Sequence, residues 1–283
     1  MSTAKYAARV LTVLMLAGVA FGAGDVHKDL HFKVGKRPMI SINNPYGPVT
    51  LKTGAAHEVV VKAVLHSDKV EIDQSQSRSR IDIVSHLLQG ANPSTGIVEY
   101  EVWVPAEASV SLHSESGRLH AEKLRGDLSM ESSTGAMEVV DFGTGHLHVK
   151  TLNGPVAISD VRNGSVEVTS MAGDVSLSSV SGPTVSVNSN TGKIEYAGDF
   201  ADEGEYDFTS HTGDIEATAP AYASIDVTAR STQGRVESDF SLEPRHSPFT
   251  STIGSAFHGT LNKAASSVKL FSFSGRIHLK KRQ

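Results

Sequence analysis

Apolar and polar residues alternate with a period of two along most of the chain, and glycine interrupts the alternation at regular intervals. Aligned on Gly117, Gly135, Gly154, Gly173, Gly192, Gly213, Gly234 and Gly275, the intervals are 18, 19, 19, 19, 21, 21 and 41 residues, the last close to two repeats. Two residues after each glycine stand Leu119, Met137, Val156, Val175, Ile194, Ile215, Val236 and Ile277. Seven before stand Val110, Leu128, Leu147, Val166, Val185, Tyr206, Val227 and Val268, so both positions are apolar in every copy. An earlier copy surrounds Gly47, with Ile40 and Ile42 before it and Val49 and Leu51 after. Such alternation predicts strands with one buried face, and a glycine between two strands predicts a tight corner. Gly126, Gly145, Gly164 and Gly182 form a second set of corners halfway through the repeats.

Each repeat of about 19 residues therefore holds two short strands and two corners. One such unit cannot bury its apolar face alone, whereas stacked units share a continuous core. The expected fold is all-β: a single-stranded parallel β-solenoid, or β-helix, whose coils stack about 4.8 Å apart. A β-sandwich also uses short, evenly spaced strands, but it has no reason to repeat side-chain identity at this interval. Three residues before the aligned glycines stand Ser114, Ser132, Thr151, Ser170, Ser189, Ser210, Ser231 and Ser272, with Asn44 in the earlier copy. Eight equivalent hydroxyls cannot all be activated nucleophiles, and no G-x-S-x-G elbow is present. They are expected to turn inward and satisfy backbone groups of the corner or of the next coil.

Four regions follow. Residues 1–22 carry Lys5 and Arg9, then the apolar run Val10 to Phe21, then the small pair Ala20 and Gly22, the pattern of a cleaved secretory signal peptide. That run is shorter than the roughly 20 residues needed to cross a bilayer, and no other stretch approaches that length. Residues 23–105 hold strands such as Glu58–Leu65, Arg80–Val84 and Ile97–Val104, expected to begin and cap the solenoid; Asp73 to Ser79 and Gln89 to Gly96 read as exposed loops. Residues 106–240 are the regular coils. Residues 241–283 combine an irregular excursion, either a loop or a cap with a short helix, with the last coil.

Composition removes several functions from consideration. The 283 residues include no cysteine, which excludes a disulfide scaffold, thiolate ligands, a thiol nucleophile and a lipoprotein anchor. A formal charge of −5, from 26 basic and 31 acidic residues, argues against a nucleic-acid partner. The expected location is extracytoplasmic: periplasm, cell surface or medium.

Candidate chemistry lies on the outward columns. Glu195, Glu216 and Glu237 fall three residues after their glycines and would stack on successive coils about 5 Å apart. They read as a calcium-binding stripe or as a solvated face compensated by Lys193 and Arg235. His146 and His148 alternate outward on one strand, with Asp127 and Glu167 on the neighbouring coils, a donor set suited to zinc or nickel. Neither group amounts to a metal site on sequence alone, and no catalytic residue or cofactor motif is assigned. Arg125-Gly126-Asp127 spells an adhesion tripeptide, although Gly126 is already required by the corner.

Segments such as Thr212-Gly213-Asp214-Ile215 and Ser274-Gly275-Arg276-Ile277-His278-Leu279, with the entry Val102-Trp103-Val104-Pro105, resemble the bacterial adhesin-like family labelled DUF4097. The resemblance covers roughly Phe32 to Lys280 and implies an extracytoplasmic β-solenoid with no catalytic residues to carry over. The first functional expectation is accordingly a non-enzymatic binding scaffold for an unknown protein or glycan at the cell surface. A polysaccharide-active β-helix enzyme is the second: it would need converging acids in a cleft, about 5 to 10 Å apart. Trp103 is the only tryptophan, which weighs against a sugar cleft. A structural spacer or end-to-end assembly partner is the third, favoured by an exposed terminal coil.

Overall fold

The computed structural model describes residues 25–244 and 255–282, so the signal-peptide expectation for residues 1–22 lies outside the described residues. Among the described residues every regular element is a strand. The N-terminal part contributes β1 (Val26–Lys33), β2 (Met39–Asn43), β3 (Val49–Thr53), β4 (Glu58–Leu65), β5 (Val70–Ser77), β6 (Arg80–Leu87) and β7 (Val98–Val104). The regular part runs β8 (Ser109–Ser114), β9 (Leu119–Glu122), β10 (Leu128–Ser132), β11 (Met137–Val140), β12 (Gly145–Thr151), β13 (Val156–Arg162), β14 (Gly164–Ser170) and β15 (Val175–Ser181). It continues with β16 (Thr184–Ser189), β17 (Ile194–Ala197), β18 (Glu205–Ser210), β19 (Ile215–Ala219), β20 (Ile225–Ser231) and β21 (Val236–Ser238). β22 (Glu243–Pro244), β23 (Ser255–Leu261), β24 (Ser266–Ser272) and β25 (Ile277–Lys281) close the chain.

From β8 to β19, successive strands alternate between two large sheets, A and B, and pair in parallel with the strand two further on. The register follows the repeat: Leu128 lies opposite Leu147, and Leu147 opposite Val166. Sheet A orders β1-β4-β7-β3-β9-β11-β13-β15-β17-β19-β25-β21, and sheet B orders β22-β23-β20-β24-β18-β16-β14-β12-β10-β8-β2-β6-β5. Alternate residues point between the sheets, so Leu128, Met130, Val166, Val168, Ile194 and Ile215 are all buried.

The hydroxyl column is buried at one edge. Ser114 Oγ accepts from Gly117 N–H at 2.8 Å, and Ser210 Oγ from Gly213 N–H at 2.8 Å, whereas Thr151 Oγ1 and Ser189 Oγ donate to the carbonyls of Gly154 and Gly192 at 2.9 Å. Ser231 Oγ donates across coils to the Gly275 carbonyl at 2.7 Å. The corner must be glycine because the stacked backbones leave no room: a Cβ on Gly154 would lie 2.1 Å from the Gly135 carbonyl oxygen.

Three features depart from the sequence expectation. First, stacking does not follow chain order at either end. β24 lies between β18 and β20, and β25 between β19 and β21, so the copy around Gly275 is inserted beneath the copy around Gly234. The copy around Gly47 stacks directly on the one around Gly117, with β6 and β7 beyond it. Second, Asp73 to Ser77, expected as loop, belongs to β5, which pairs antiparallel with β6. Its residues from Asp73 onward are exposed on both faces, so no apolar alternation marks it. Third, no helix occurs among the described residues of the excursion. β23 instead pairs antiparallel along the whole of β20 and covers the edge of sheet B, and β22 pairs with β23. No helix among the described residues is long and apolar enough to cross a membrane.

Candidate functional site

Inward positions are consumed by the core, so any recognition chemistry must come from outward columns, corners and edges. On sheet B the parallel register lines up Ser41, Ser111, Ser129, His148 and Glu167 across five adjacent strands. Serine is short, whereas the flanking strands carry long side chains, so the surface dips over the serines. The resulting cavity, about 440 Å³, has Met39, Ser111 and Ser129 in its lining and Arg80, His146 and His148 around it. Met39 is 53% exposed, which puts a flexible apolar side chain inside a ring of polar groups. Arg80 is held by the Asp82 carboxylate at 3.0 Å.

Asp127, His146 and His148 line this cavity and Glu167 stands opposite His148 on the next strand, but the four form two separate couples. Asp127 Oδ1 accepts from the His146 backbone N–H at 3.0 Å and lies 3.3 Å from His146 Nδ1. His148 Nδ1 stands 3.4 Å from Glu167. Among the described residues no group of three or more histidine, aspartate or glutamate side chains is arranged to hold a metal ion. One column further, Lys150 bridges to Glu131 at 3.0 Å, and that hydrogen bond keeps the Glu131 carboxyl below the usual glutamate range. The arrangement offers hydroxyls, imidazoles and one guanidinium around a methionine. It suits a ligand that offers hydrogen-bonding groups together with some apolar surface.

The acidic stripe on sheet A is interrupted. Glu195 and Glu216 are neighbours, but His278 stands between Glu216 and Glu237, because β25 separates β19 from β21. Lys193 bridges both Glu195 and Glu216, and Lys280 reaches Glu216 at 2.6 Å. The Lys280 hydrogen bond lowers the Glu216 pKa, and the Glu195 hydrogen bond raises that of Lys193. The Arg-Gly-Asp tripeptide is likewise engaged: Arg125 bonds the backbone oxygen and carboxylate of Asp141 at 2.6 and 2.9 Å, while Asp127 holds His146. Trp103 lies on the outer face of sheet A, with the Lys62 and Lys52 ammonium groups 5.3 and 5.9 Å from its ring.

One surface escaped the sequence reading. At the hydroxyl corner, Leu152 and Met171 are 45% and 52% exposed, and the His211 ring stacks on Phe273 with centroids 5.0 Å apart. Beside them a cavity of about 290 Å³ is lined by Asn188, Asn190, Thr209, His211 and Phe271. All of these except Phe271 and Phe273 belong to the regular repeats. The two phenylalanines arrive from β24 and its following corner, which only the exchanged stacking order brings alongside.

An all-β chain of two stacked sheets, with polar columns outside and glycine corners at its edges, belongs to the repeat-built scaffolds. Its family is the Toastrack family, DUF4097: the family model matches residues 39–280, and the chain is a member. Among solved structures, a candidate adhesin from Bacteroides fragilis is 13% identical, with a TM-score of 0.51, covering 94% of this chain and 100% of that one. A candidate lipid-binding protein from Parabacteroides distasonis is 10% identical, with a TM-score of 0.50, covering 91% and 97%. At these identities the likeness concerns the fold. No curated protein matches the chain in sequence.

Proposed function

We propose that the protein is a non-enzymatic, adhesin-like scaffold: a single-stranded β-solenoid of about 19 residues per coil that binds a polar ligand on the outer face of sheet B. The observation that carries this reading is the serine-floored cavity of about 440 Å³, where hydroxyls, imidazoles and Met39 converge on a rigid sheet. A parallel ladder is a sound platform because each side chain is positioned by backbone bonds on both flanks. The adhesin description of the Bacteroides fragilis relative in fold agrees with a binding role. Exchange of a polar ligand at an exposed face fits a location outside the cytoplasm, reached through the leader at residues 1–22. Glycans and cell-surface proteins are the ligand classes that match the lining.

The test is a glycan array together with pull-down from envelope fractions, using residues 23–283 and a Ser111→Phe/Ser129→Phe variant that fills the depression. Binding by the native chain and its loss in the filled variant are expected. Equal binding by both would move the ligand to another face, and hydrolysis of any bound glycan would overturn the non-enzymatic reading.

A further inference from the structure

The two ends of the molecule treat their sheet edges differently. At the C-terminal end sheet B is covered by the antiparallel β23 with the two-residue β22 outside it, and sheet A stops at the three-residue β21. At the N-terminal end sheet A stops at β1, eight residues long, paired with β4 from Val26↔Leu65 to Lys33↔Glu58 without a break, and among the described residues no strand lies on its other side. β1 contains no proline and no bulge, two of the usual means of blunting such an edge.

The ladder geometry tells which backbone groups are open. Val34 N–H donates to the His57 carbonyl at 3.0 Å. Opposed residues of an antiparallel pair alternate between hydrogen-bonded and non-bonded. Val34, Phe32, Leu30 and Lys28 therefore direct their backbone groups to β4, and His27, Asp29, His31 and Lys33 direct theirs to the open edge. Gln76 Nε2 donates to the Lys33 carbonyl at 2.9 Å, which marks that carbonyl as outward; a strand added here shares it or displaces the Gln76 side chain.

The open edge matches itself. When Asp29-Leu30-His31-Phe32-Lys33 is laid antiparallel on its own copy with His31 opposite His31, Asp29 faces Lys33 on the outer surface. Leu30 then faces Phe32 on the inner one, where Phe32 is already buried and Leu30 packs partly against the core. Moving the axis to Leu30 would set Lys28 against Phe32 and His27 against Lys33. His31 is drawn back toward Glu58 at 2.9 Å, which leaves its backbone clear.

We propose that a second copy of this chain pairs with the β1 edge, joining two molecules head to head about a two-fold axis at His31. The contact is isologous, so each Asp29 meets Lys33 of the second copy and the assembly closes at two. Leu30 and Phe32 of the two copies extend the core across the junction.

Sedimentation of residues 23–283 at neutral pH, up to about 100 µM, reads the association. A dimer is expected for the native chain. Asp29→Lys should yield a monomer, and adding Lys33→Asp should restore the dimer, with the strand circular dichroism unchanged throughout. The chain contains no cysteine, so a spin label on His31→Cys reports position 31 alone; dipolar broadening is expected on dimerisation. A native monomer over the whole range overturns the proposal. So does a dimer that survives Asp29→Lys, a folded double variant that remains monomeric, or a dimer whose labels at position 31 stay far apart.

Discussion

Val227 and Val268 stand opposite each other in a parallel pair, although 41 residues separate them in the chain. On its other flank Val268 lies opposite Tyr206, so the last long strand is wedged between two strands made before it. β20 and β21 reach the rest of the molecule through β24 and β25. Removal of residues 266–283 should therefore free β20 to β23 while β8 to β17 remain folded. Val268 and Leu270 are buried to 0% and 1% exposure, and the loss of such side chains costs roughly 1.5–3 kcal/mol each. Hydrogen exchange should show protection lost over Ile225–Ser231 and retained over Gly164–Ser170. Protection retained at both places would mean that β20 docks on β18 directly.

Gly154→Ala should be costly even though alanine is small. The new Cβ would sit 2.1 Å from the Gly135 carbonyl oxygen, which is backbone and cannot swing aside. Forcing two stacked corners apart is expected to destabilise by about 1–3 kcal/mol, as overpacking does. Urea unfolding measures it. An unchanged midpoint would show that the corners can breathe.

Ser189→Ala removes the donor that the buried Gly192 carbonyl uses at 2.9 Å. An unsatisfied buried group costs about 1–3 kcal/mol. Ser189→Thr should be close to neutral, because Thr151 makes the same bond to Gly154 in its own coil. If the alanine and threonine variants melted alike, the hydroxyl would be irrelevant to the corner.

Glu216 has a pKa lowered by the Lys280 hydrogen bond and by Lys193, and its side chain is 22% exposed. A carboxyl whose folded pKa lies below its unfolded value stabilises the fold above the unfolded pKa. That contribution is lost as pH falls through the folded value. Glu216→Gln should therefore cost up to about 1 kcal/mol near neutral pH, the scale of a partly exposed ion pair, and nothing in acid, once Glu216 is protonated in both the folded and the unfolded chain. Thermal melts of the two proteins from pH 7 down to pH 2.5 give the difference. A constant gap across that range would point to packing rather than charge.

Strands of the regular part were legible residue by residue. Val166, Val185 and Tyr206 repeat the same inward position, and the corner glycines with their hydroxyls repeat at the same offset. β5 was hidden because an exposed edge strand buries almost nothing and so leaves no alternation to read. The candidate site was half legible. His146, His148, Asp127 and Glu167 could be placed on neighbouring strands from spacing alone. The depression over Ser111 and Ser129 could not, since it arises from the height of Arg80 and His148 beside them. The stacking expected of Glu195, Glu216 and Glu237 holds for the first two and breaks at Glu237 for a different reason, the arrival of His278 from β25.

Periodicity alone decided that the chain forms short stacked strands with glycine corners, because burying alternate residues at this spacing leaves few other arrangements. The order in which the copies stack was decided only in three dimensions. Each copy presents nearly the same corner and the same hydroxyl, so the repeat pattern gives a copy no address; the difference lies in the inward side chains, where Tyr206 and Phe208 meet Val268 and Leu270 rather than Val227 and Ala229. Loop closure adds little discrimination, since its entropy grows only with the logarithm of length. The 62-residue step from Tyr206 to Val268 was therefore as open to the chain as the 21-residue step to Val227. β23 settles the choice: it covers the far side of β20, and the last copy lies inside the stack.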